Sequence, residues 1–69
     1  MAKKIVFQTP DMSCNHCVMT IERTLKTVAG VSDAHADLHT KSVSLTVSDD
    51  AAAERARAAL AEAGYPVAD

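Results

Sequence analysis

The sequence predicts an α+β fold in which two helices pack on one face of a four-stranded antiparallel sheet. Apolar and polar residues alternate in four short stretches, which indicates strands with one face exposed to solvent. Apolar residues recur every three or four positions in two longer stretches, which indicates amphipathic helices. The chain has 69 residues, enough for one small domain with a thin core.

The first strand is predicted over residues 3–9. Its side chains alternate, so that Ile5, Phe7 and Thr9 share one face. Pro10 ends the strand, because proline has no amide hydrogen to donate to a neighbouring strand. A short polar loop therefore separates this strand from the next element.

The first helix is predicted to begin at Asn15 and to stop at the pair Ala29-Gly30, where glycine can adopt the left-handed conformation that commonly follows a helix. Its inner stripe consists of Val18, Ile21, Leu25 and Val28. On the outer face, Glu22 and Lys26 are four residues apart. Opposite charges at this spacing are expected to form an ion pair.

Two further strands are predicted over residues 31–38 and 43–47. Apolar and polar residues alternate in both, and the polar residues 39–42 between them form a turn. Together these segments predict a hairpin with one face exposed to solvent, as is common in antiparallel sheets.

A second helix and a final edge strand complete the predicted fold. The candidates for the N-cap of this helix are Ser48, Asp49 and Asp50. Its inner stripe consists of Ala53, Ala56, Leu60 and Ala63. Gly64 ends the helix, and residues 65–68 form the short last strand. The resulting order, strand–helix–strand–strand–helix–strand, is the ferredoxin-like arrangement.

Composition excludes several classes of function. The formal net charge is −2, and the chain has one Phe, one Tyr and no Trp, so it lacks the basic face typical of nucleic-acid binding. No catalytic triad, carboxylate pair or glycine-rich phosphate loop is present, which argues against an enzyme. No apolar run approaches the length of about 20 residues needed to span a membrane, and the N-terminus has too few apolar residues for a signal peptide. We therefore expect a cytoplasmic protein that does not insert into a membrane.

Cys14 and Cys17 are the two cysteines of the chain, and they lie at the turn from the first strand into the first helix. Both sulfurs can point to one position there, and the helix N-terminus lowers the pKa of nearby thiols. Two thiolates suit Cu(I) and also bind Zn(II) and other thiophilic ions. A closed structural zinc site has four ligands, so this pair predicts an open site that can pass its ion on.

A dithiol oxidoreductase is the alternative from a different class, since thioredoxin-like proteins also place C-x-x-C between a strand and a helix. The length of the chain disfavours it, because that fold needs about 100 residues and a different order of elements. A structural disulfide is also disfavoured, because closing so small a ring removes little chain entropy. These arguments favour metal transfer and leave redox exchange open.

The run Met12-Ser13-Cys14-Asn15-His16-Cys17 resembles the M-x-C-x-x-C signature of heavy-metal-associated (HMA) domains. Nearly the whole chain is similar to small bacterial copper chaperones of the CopZ/Atx1 type, in this motif, in the order of elements and in Gly30-Val31 and Gly64-Tyr65. The resemblance implies that Cys14 and Cys17 bind Cu(I). It also implies delivery to the N-terminal metal-binding domains of a copper-transporting P-type ATPase.

One departure from the family pattern keeps alternatives open beside this resemblance. Asp11 stands where the family usually has glycine, and it adds a carboxylate near the site. Carriers of Zn(II), Cd(II) or Hg(II) on the same fold are therefore the alternative to a copper chaperone. A copper-bridged homodimer and a regulatory domain excised from the ATPase are further alternatives.

Four neighbours of the cysteines are expected to shape the site, namely Met12, Ser13, His16 and Tyr65. Met12 is expected to anchor the loop in the core rather than to act as a ligand. Ser13, with Asn15, is expected to serve the turn and the helix cap. His16 is expected to face solvent, because the geometry that brings the two sulfurs together turns it outward. Tyr65 is expected to fill the thin core and, from the resemblance, to shield the metal loop.

Overall fold

The structure is a computed structural model that describes residues 2–68. Its elements are β1 (Lys3–Gln8), α1 (Asn15–Lys26), β2 (Val31–Asp37), β3 (Ser42–Val47) and α2 (Asp50–Glu62). The three strands form one antiparallel sheet in the order β1-β3-β2. β3 is therefore central, and β1 and β2 are edge strands. Neither helix in the described part of the chain is long and apolar enough to cross a membrane.

The core lies between the sheet and the two helices. The fully buried residues of β3 are Val43, Leu45 and Val47, while those of the helices are Ile21, Leu25, Ala52, Ala56 and Leu60. β3 contributes every second residue because alternate side chains of a strand point to the same face of the sheet. Each large apolar side chain buried in this way stabilises the fold by about 1.5–3 kcal/mol relative to exposure.

The four-stranded sheet predicted from the sequence is not formed by the described residues. The segment after α2 makes one isolated antiparallel bridge, Gln8↔Ala68, in which the amide of Ala68 donates to the carbonyl of Gln8 at 2.8 Å. Pro66 has no amide hydrogen to contribute to a ladder, which limits pairing in this short segment.

The turn that follows α1 depends on Gly30. This residue has a φ of +87°, and an added Cβ would lie 2.7 Å from Oγ of Ser48 and 2.8 Å from Cβ of Ala52. The guanidinium of Arg55 donates to the carbonyl of Ala29 at 3.0 Å. Glycine therefore permits both the left-handed backbone and the close approach of this turn to the start of α2.

The predicted ion pair between Glu22 and Lys26 is wrong. Oε2 of Glu22 instead accepts a hydrogen bond from the amide of Ala36 at 3.0 Å and lies 3.6 Å from Nδ1 of His35. The pairing of β2 with β3 is irregular between Ser32 and His35. Glu22 points to this part of β2 because α1 packs along that edge strand.

Candidate metal-binding site

The loop between β1 and α1 is fixed to the core at Met12. The amide of Met12 donates to the carbonyl of Thr9 at 3.0 Å, and the amide of Thr9 donates to the carbonyl of Lys41 at 2.8 Å. Met12 and Thr9 are both fully buried. Met12 thus lies in the core, as expected for an anchor, while residues 13–16 are exposed.

The two cysteine sulfurs lie close together. Sγ of Cys14 is 3.5 Å from Sγ of Cys17, too far for a disulfide bond of about 2.05 Å, and both thiols are free. Cys14 is exposed, whereas Cys17 is only 8% exposed. The pair therefore consists of one accessible sulfur and one sheltered sulfur that can bind the same ion.

Cys17 is a thiolate near neutral pH, because its pKa is lowered from 9.0 to about 6. The largest cause is hydrogen bonding from the backbone at Ser13, followed by hydrogen bonding from the side chain of Tyr65, while burial opposes the shift. The pKa of Tyr65 is raised in turn, mainly by its hydrogen bond to Cys17. Oγ of Ser13 lies 4.0 Å from Sγ of Cys17. The site thus stabilises a negative sulfur ready to bind a soft cation.

The first turn of α1 contributes to this stabilisation. Cys14 is the N-cap of the helix, and its side chain makes no capping hydrogen bond. In α2, by contrast, the carboxylate of Asp49 accepts from the amide of Ala52 at 2.8 Å. The prediction that Asn15 serves as a cap is wrong, because Asn15 is the first helical residue. The start of α1 therefore presents its positive dipole end to the thiols.

The remaining predicted residues lie around the cysteines without adding a third ligand. His16 and Asp11 are exposed, and Tyr65 is half-buried and packs against the core. Among residues 2–68, no group of three or more His, Cys, Asp and Glu side chains is placed to hold a metal ion. The arrangement is that of a site with two protein sulfurs.

Thr20 is a neighbour of the site that the sequence analysis missed. Its hydroxyl donates to the carbonyl of His16 at 2.9 Å, and its side chain opposes the rise in the pKa of Tyr65. Thr20 follows Cys17 by three residues, a spacing that places both on one side of the helix. This spacing is the feature of the sequence that could have placed Thr20 beside the site.

Comparison with known proteins identifies the family. The profile of the heavy-metal-associated domain matches residues 6–66. The chain belongs to this family. A member named COP-associated protein, from Helicobacter pylori, is 38% identical over 64 residues, which cover 93% of this chain and 97% of that protein.

Two other similar proteins carry the names of different metals. The mercuric transport protein periplasmic component from Shewanella putrefaciens is 35% identical over 65 residues, covering 93% of this chain and 71% of that protein. The solved structure of the copper chaperone Atx1 from Synechocystis matches with a TM-score of 0.75 at 28% identity, covering 93% of this chain and 98% of that one. HMA domains similar to this one thus occur in proteins named for copper and for mercury.

Proposed function

We propose that this chain is a copper chaperone that binds Cu(I) through Cys14 and Cys17. The observation that carries the proposal is the 3.5 Å separation of the exposed Cys14 sulfur and the sheltered Cys17 sulfur, with no His, Asp or Glu placed among the described residues to complete a group of three ligands. Two soft sulfur ligands suit Cu(I), whereas a structural zinc site takes four ligands. Membership of the HMA family and the similarity to the copper chaperone Atx1 support this assignment.

Binding begins at Cys17, because its thiol is already deprotonated near neutral pH. Because both sulfurs bind the ion as thiolates, loading is coupled to proton release. A near-linear arrangement puts the ion between the sulfurs, which must then lie further apart than the 3.5 Å in this structure. The exposed Cys14 side chain therefore moves outward, while Cys17 stays under the loop.

Transfer proceeds by exchange of thiolate ligands, and copper remains Cu(I) throughout. A thiolate of the recipient adds to the two-coordinate ion and gives an intermediate with three copper–sulfur bonds. The bond to the exposed Cys14 then breaks first, a second thiolate of the recipient adds, and the bond to Cys17 breaks last. Weak docking guided by charge favours turnover over a lasting complex.

The recipient in this proposal is an N-terminal metal-binding domain of a copper-transporting P-type ATPase. The chaperone acts in the cytoplasm, where thiols stay reduced, as one domain spanning residues 1–69. It is a carrier rather than an enzyme, because ligand exchange moves the ion without converting a substrate into a product. Exposed Cys14 also allows a copper-bridged pair of chaperones.

A carrier of Hg(II), Zn(II) or Cd(II) is the second candidate. Its support is the 35% identity to a mercuric transport protein, since Hg(II) and Cu(I) both favour thiolate sulfur. The exposed Asp11 adds a carboxylate next to the loop, which gives a divalent ion more favourable charge than a monovalent one. A competition between metals separates the two candidates.

The test is an anaerobic titration of the reduced protein with Cu(I), Zn(II) and Hg(II) against calibrated chelators. We expect Cu(I) binding that is retained by His39→Ala, a surface control, and lost in Cys14→Ser and Cys17→Ser. Mixing the copper-loaded protein with an isolated ATPase metal-binding domain should then move copper to that domain. Tight Hg(II) or Zn(II) binding with weak Cu(I) binding would exclude the copper assignment. Rapid disulfide-reduction turnover without tight metal binding would instead indicate the oxidoreductase.

A further inference from the structure

Helix α1 exposes a large apolar side chain next to the cysteine pair. Met19 follows Cys17 by two residues and is 58% exposed. Among the described residues, Val6 is the only other large apolar side chain that is exposed. Covering an exposed apolar side chain is the main force in most protein association, so Met19 is a candidate contact for a partner.

Two cations lie beside Met19 on the same side of α1. Arg23 and then Lys26 follow at spacings of four and three residues, which place all three side chains along one stripe of the helix. Both cations are exposed, and within residues 2–68 neither forms an ion pair. The three side chains border a groove of about 210 Å³, and together they are called the α1 patch below.

Glu22 also borders this groove, but its carboxylate does not pair with either cation of the patch. Its Oε2 accepts a hydrogen bond from the amide of Ala36 at 3.0 Å and lies 3.6 Å from Nδ1 of His35. The anion is thus directed to β2, and the side chain of Glu22 is only 31% exposed. The α1 patch therefore presents an apolar side chain together with positive charge.

The α1 patch lies within reach of an interface formed around the cysteines. For transfer by ligand exchange, a thiolate of the recipient must approach Cys14, the N-cap of α1. A transient interface that covers about 600 Å² on each partner extends about 14 Å from its centre. Lys26 lies about 14 Å from Cys17 along the helix axis, and Met19 lies much closer. A partner that covers this side of α1 therefore contacts the whole patch.

We propose that the α1 patch docks on an acidic protein surface that borders the thiol pair of the recipient. Met19 fills an apolar depression in that surface, and carboxylates of the recipient face Arg23 and Lys26. This inference rests on the proposed function and adds the chemistry of the recipient's surface to it. An apolar centre with polar and charged groups around it is the usual anatomy of a protein interface, and the flexible thioether of methionine adapts to the shape of its partner.

Local charges rather than the net charge guide this contact. The formal net charge of the chain is −2, which gives no general attraction to an acidic protein. At physiological salt, charges are screened beyond about 8 Å, so a partner that approaches α1 responds mainly to Arg23 and Lys26. Charges at the rim of an interface act chiefly on the association rate. The complex is therefore expected to form rapidly without becoming long-lived.

The rate of copper transfer tests the proposal. The copper-loaded protein is mixed in a stopped-flow instrument with an isolated ATPase metal-binding domain that has acidic residues beside its cysteines and carries a fluorophore there. Lys26→Glu should lower the second-order rate about three- to tenfold at low salt, and the difference should shrink as salt increases. Lys4→Glu makes the same change of charge at an exposed position of β1 and is the matched control, expected to leave the rate nearly unchanged.

Met19→Ser tests the apolar contact in the same assay. It should lower the transfer rate about tenfold at every salt concentration, whereas Met19→Leu should retain the rate because it keeps an apolar side chain of similar size. Met19 and Lys26 are exposed, and circular dichroism confirms that each variant folds. The Cu(I) affinity of each variant should equal that of the unmodified chain, because neither side chain is a ligand.

The outcomes separate the docking surface from the proposed function. A chain that binds Cu(I) weakly, or that transfers none, contradicts the proposed function and the docking proposal together. Normal transfer by Met19→Ser or Lys26→Glu would leave the function intact and overturn the docking proposal. Equal effects of Lys4→Glu and Lys26→Glu would also overturn it, because net charge would then control the rate. Faster transfer by Lys26→Glu would overturn it by indicating a basic surface on the recipient.

Discussion

Glu22 of α1 accepts a hydrogen bond from the backbone amide of Ala36 in β2, with an N···O distance of 3.0 Å. β2 is an edge strand of the sheet, and its pairing with β3 is irregular just before this point. A helix side chain therefore satisfies an amide beside that irregular pairing. Covering an edge in this way also protects the sheet from pairing with other chains.

Replacing Glu22 tests how much this contact stabilises the fold. Glu22→Ala should lower the free energy of unfolding by about 1–3 kcal/mol, because the amide of Ala36 is left without its acceptor. Glu22→Gln keeps an acceptor oxygen and should cost clearly less. Urea unfolding measures both, with Glu62→Ala on the exposed face of α2 as a control expected within about 0.5 kcal/mol of the unmodified chain. Equal losses in the Gln and Ala variants would contradict this account.

Substitutions of Met12 separate its packing from any role as a ligand. Met12 is fully buried, so Met12→Ala should cost about 2–5 kcal/mol, whereas Met12→Leu conserves volume and should cost less than about 1.5 kcal/mol. Thermal unfolding measures the stability, and a Cu(I) competition titration measures the affinity. Met12→Leu should retain its Cu(I) affinity. A loss of affinity in a stable Leu variant would instead assign the thioether a direct bond to copper.

The two glycines should respond differently to alanine. Gly64 has a φ of +95° and open space around it. Gly64→Ala should therefore lower the free energy of unfolding only by the strain of a left-handed backbone at alanine, about 1–2 kcal/mol. Gly30→Ala adds a clash with Ser48 and Ala52 and should cost about 2–5 kcal/mol. Denaturant midpoints compare the two variants directly. A smaller loss of stability in Gly30→Ala than in Gly64→Ala would show that the turn after α1 relaxes to accommodate the added Cβ.

The reactivity of Cys17 should follow its lowered pKa. In a Cys14→Ser background, alkylation by iodoacetamide should rise with pH around a midpoint below the ordinary value of 9.0, because the hydrogen bonds from the backbone at Ser13 and from Tyr65 remain. Tyr65→Phe removes a hydrogen bond to the thiolate, so its midpoint should lie at higher pH. Mass spectrometry follows the reaction in both proteins. Identical midpoints would remove Tyr65 from the set of groups that stabilise the thiolate.

The stability of the folded protein should depend on pH through Cys17. The pKa of Cys17 is lower in the folded chain, about 6, than its ordinary value of 9.0, so the thiolate stabilises the folded state. This contribution is complete above pH 9.0 and is lost as the pH falls through about 6. The melting temperature of the reduced, metal-free protein should therefore fall over this range relative to Cys17→Ser. Parallel curves for the two proteins would contradict the linkage.

The sequence predicts the elements of this fold well where apolar residues alternate or recur regularly, as in β1, α1 and β3. It is less informative for α2, because consecutive alanines at 51–53 give no hydrophobic contrast, and the buried residue is Ala52 rather than the predicted Ala53. The irregular pairing of β2 is also hard to foresee. It accompanies Asp33 with a φ of +53°, and aspartate adopts that conformation only occasionally.

Sequence patterns likewise predict only part of the candidate site. The spacing of Cys14 and Cys17 is explicit in the sequence, and so is the position of Met12 after a strand. The contact between Tyr65 and Cys17 depends on how the end of α2 packs against the start of α1, which involves residues far apart in the chain. Contacts between distant elements are set by packing and have no local sequence pattern.

The N-cap of helix α1 is Cys14, whose side chain leaves the first amides of the helix uncapped. In most helices a Ser, Asp or Asn side chain completes this turn. Here a metal-bound thiolate can take that place, so we expect the first turn to be more ordered when the site is loaded. Metal binding and the order of the first helical turn are then linked. Under the proposed function, a recipient could distinguish the loaded protein from the empty one by the rigidity of the surface that it contacts, before any copper–sulfur bond is exchanged.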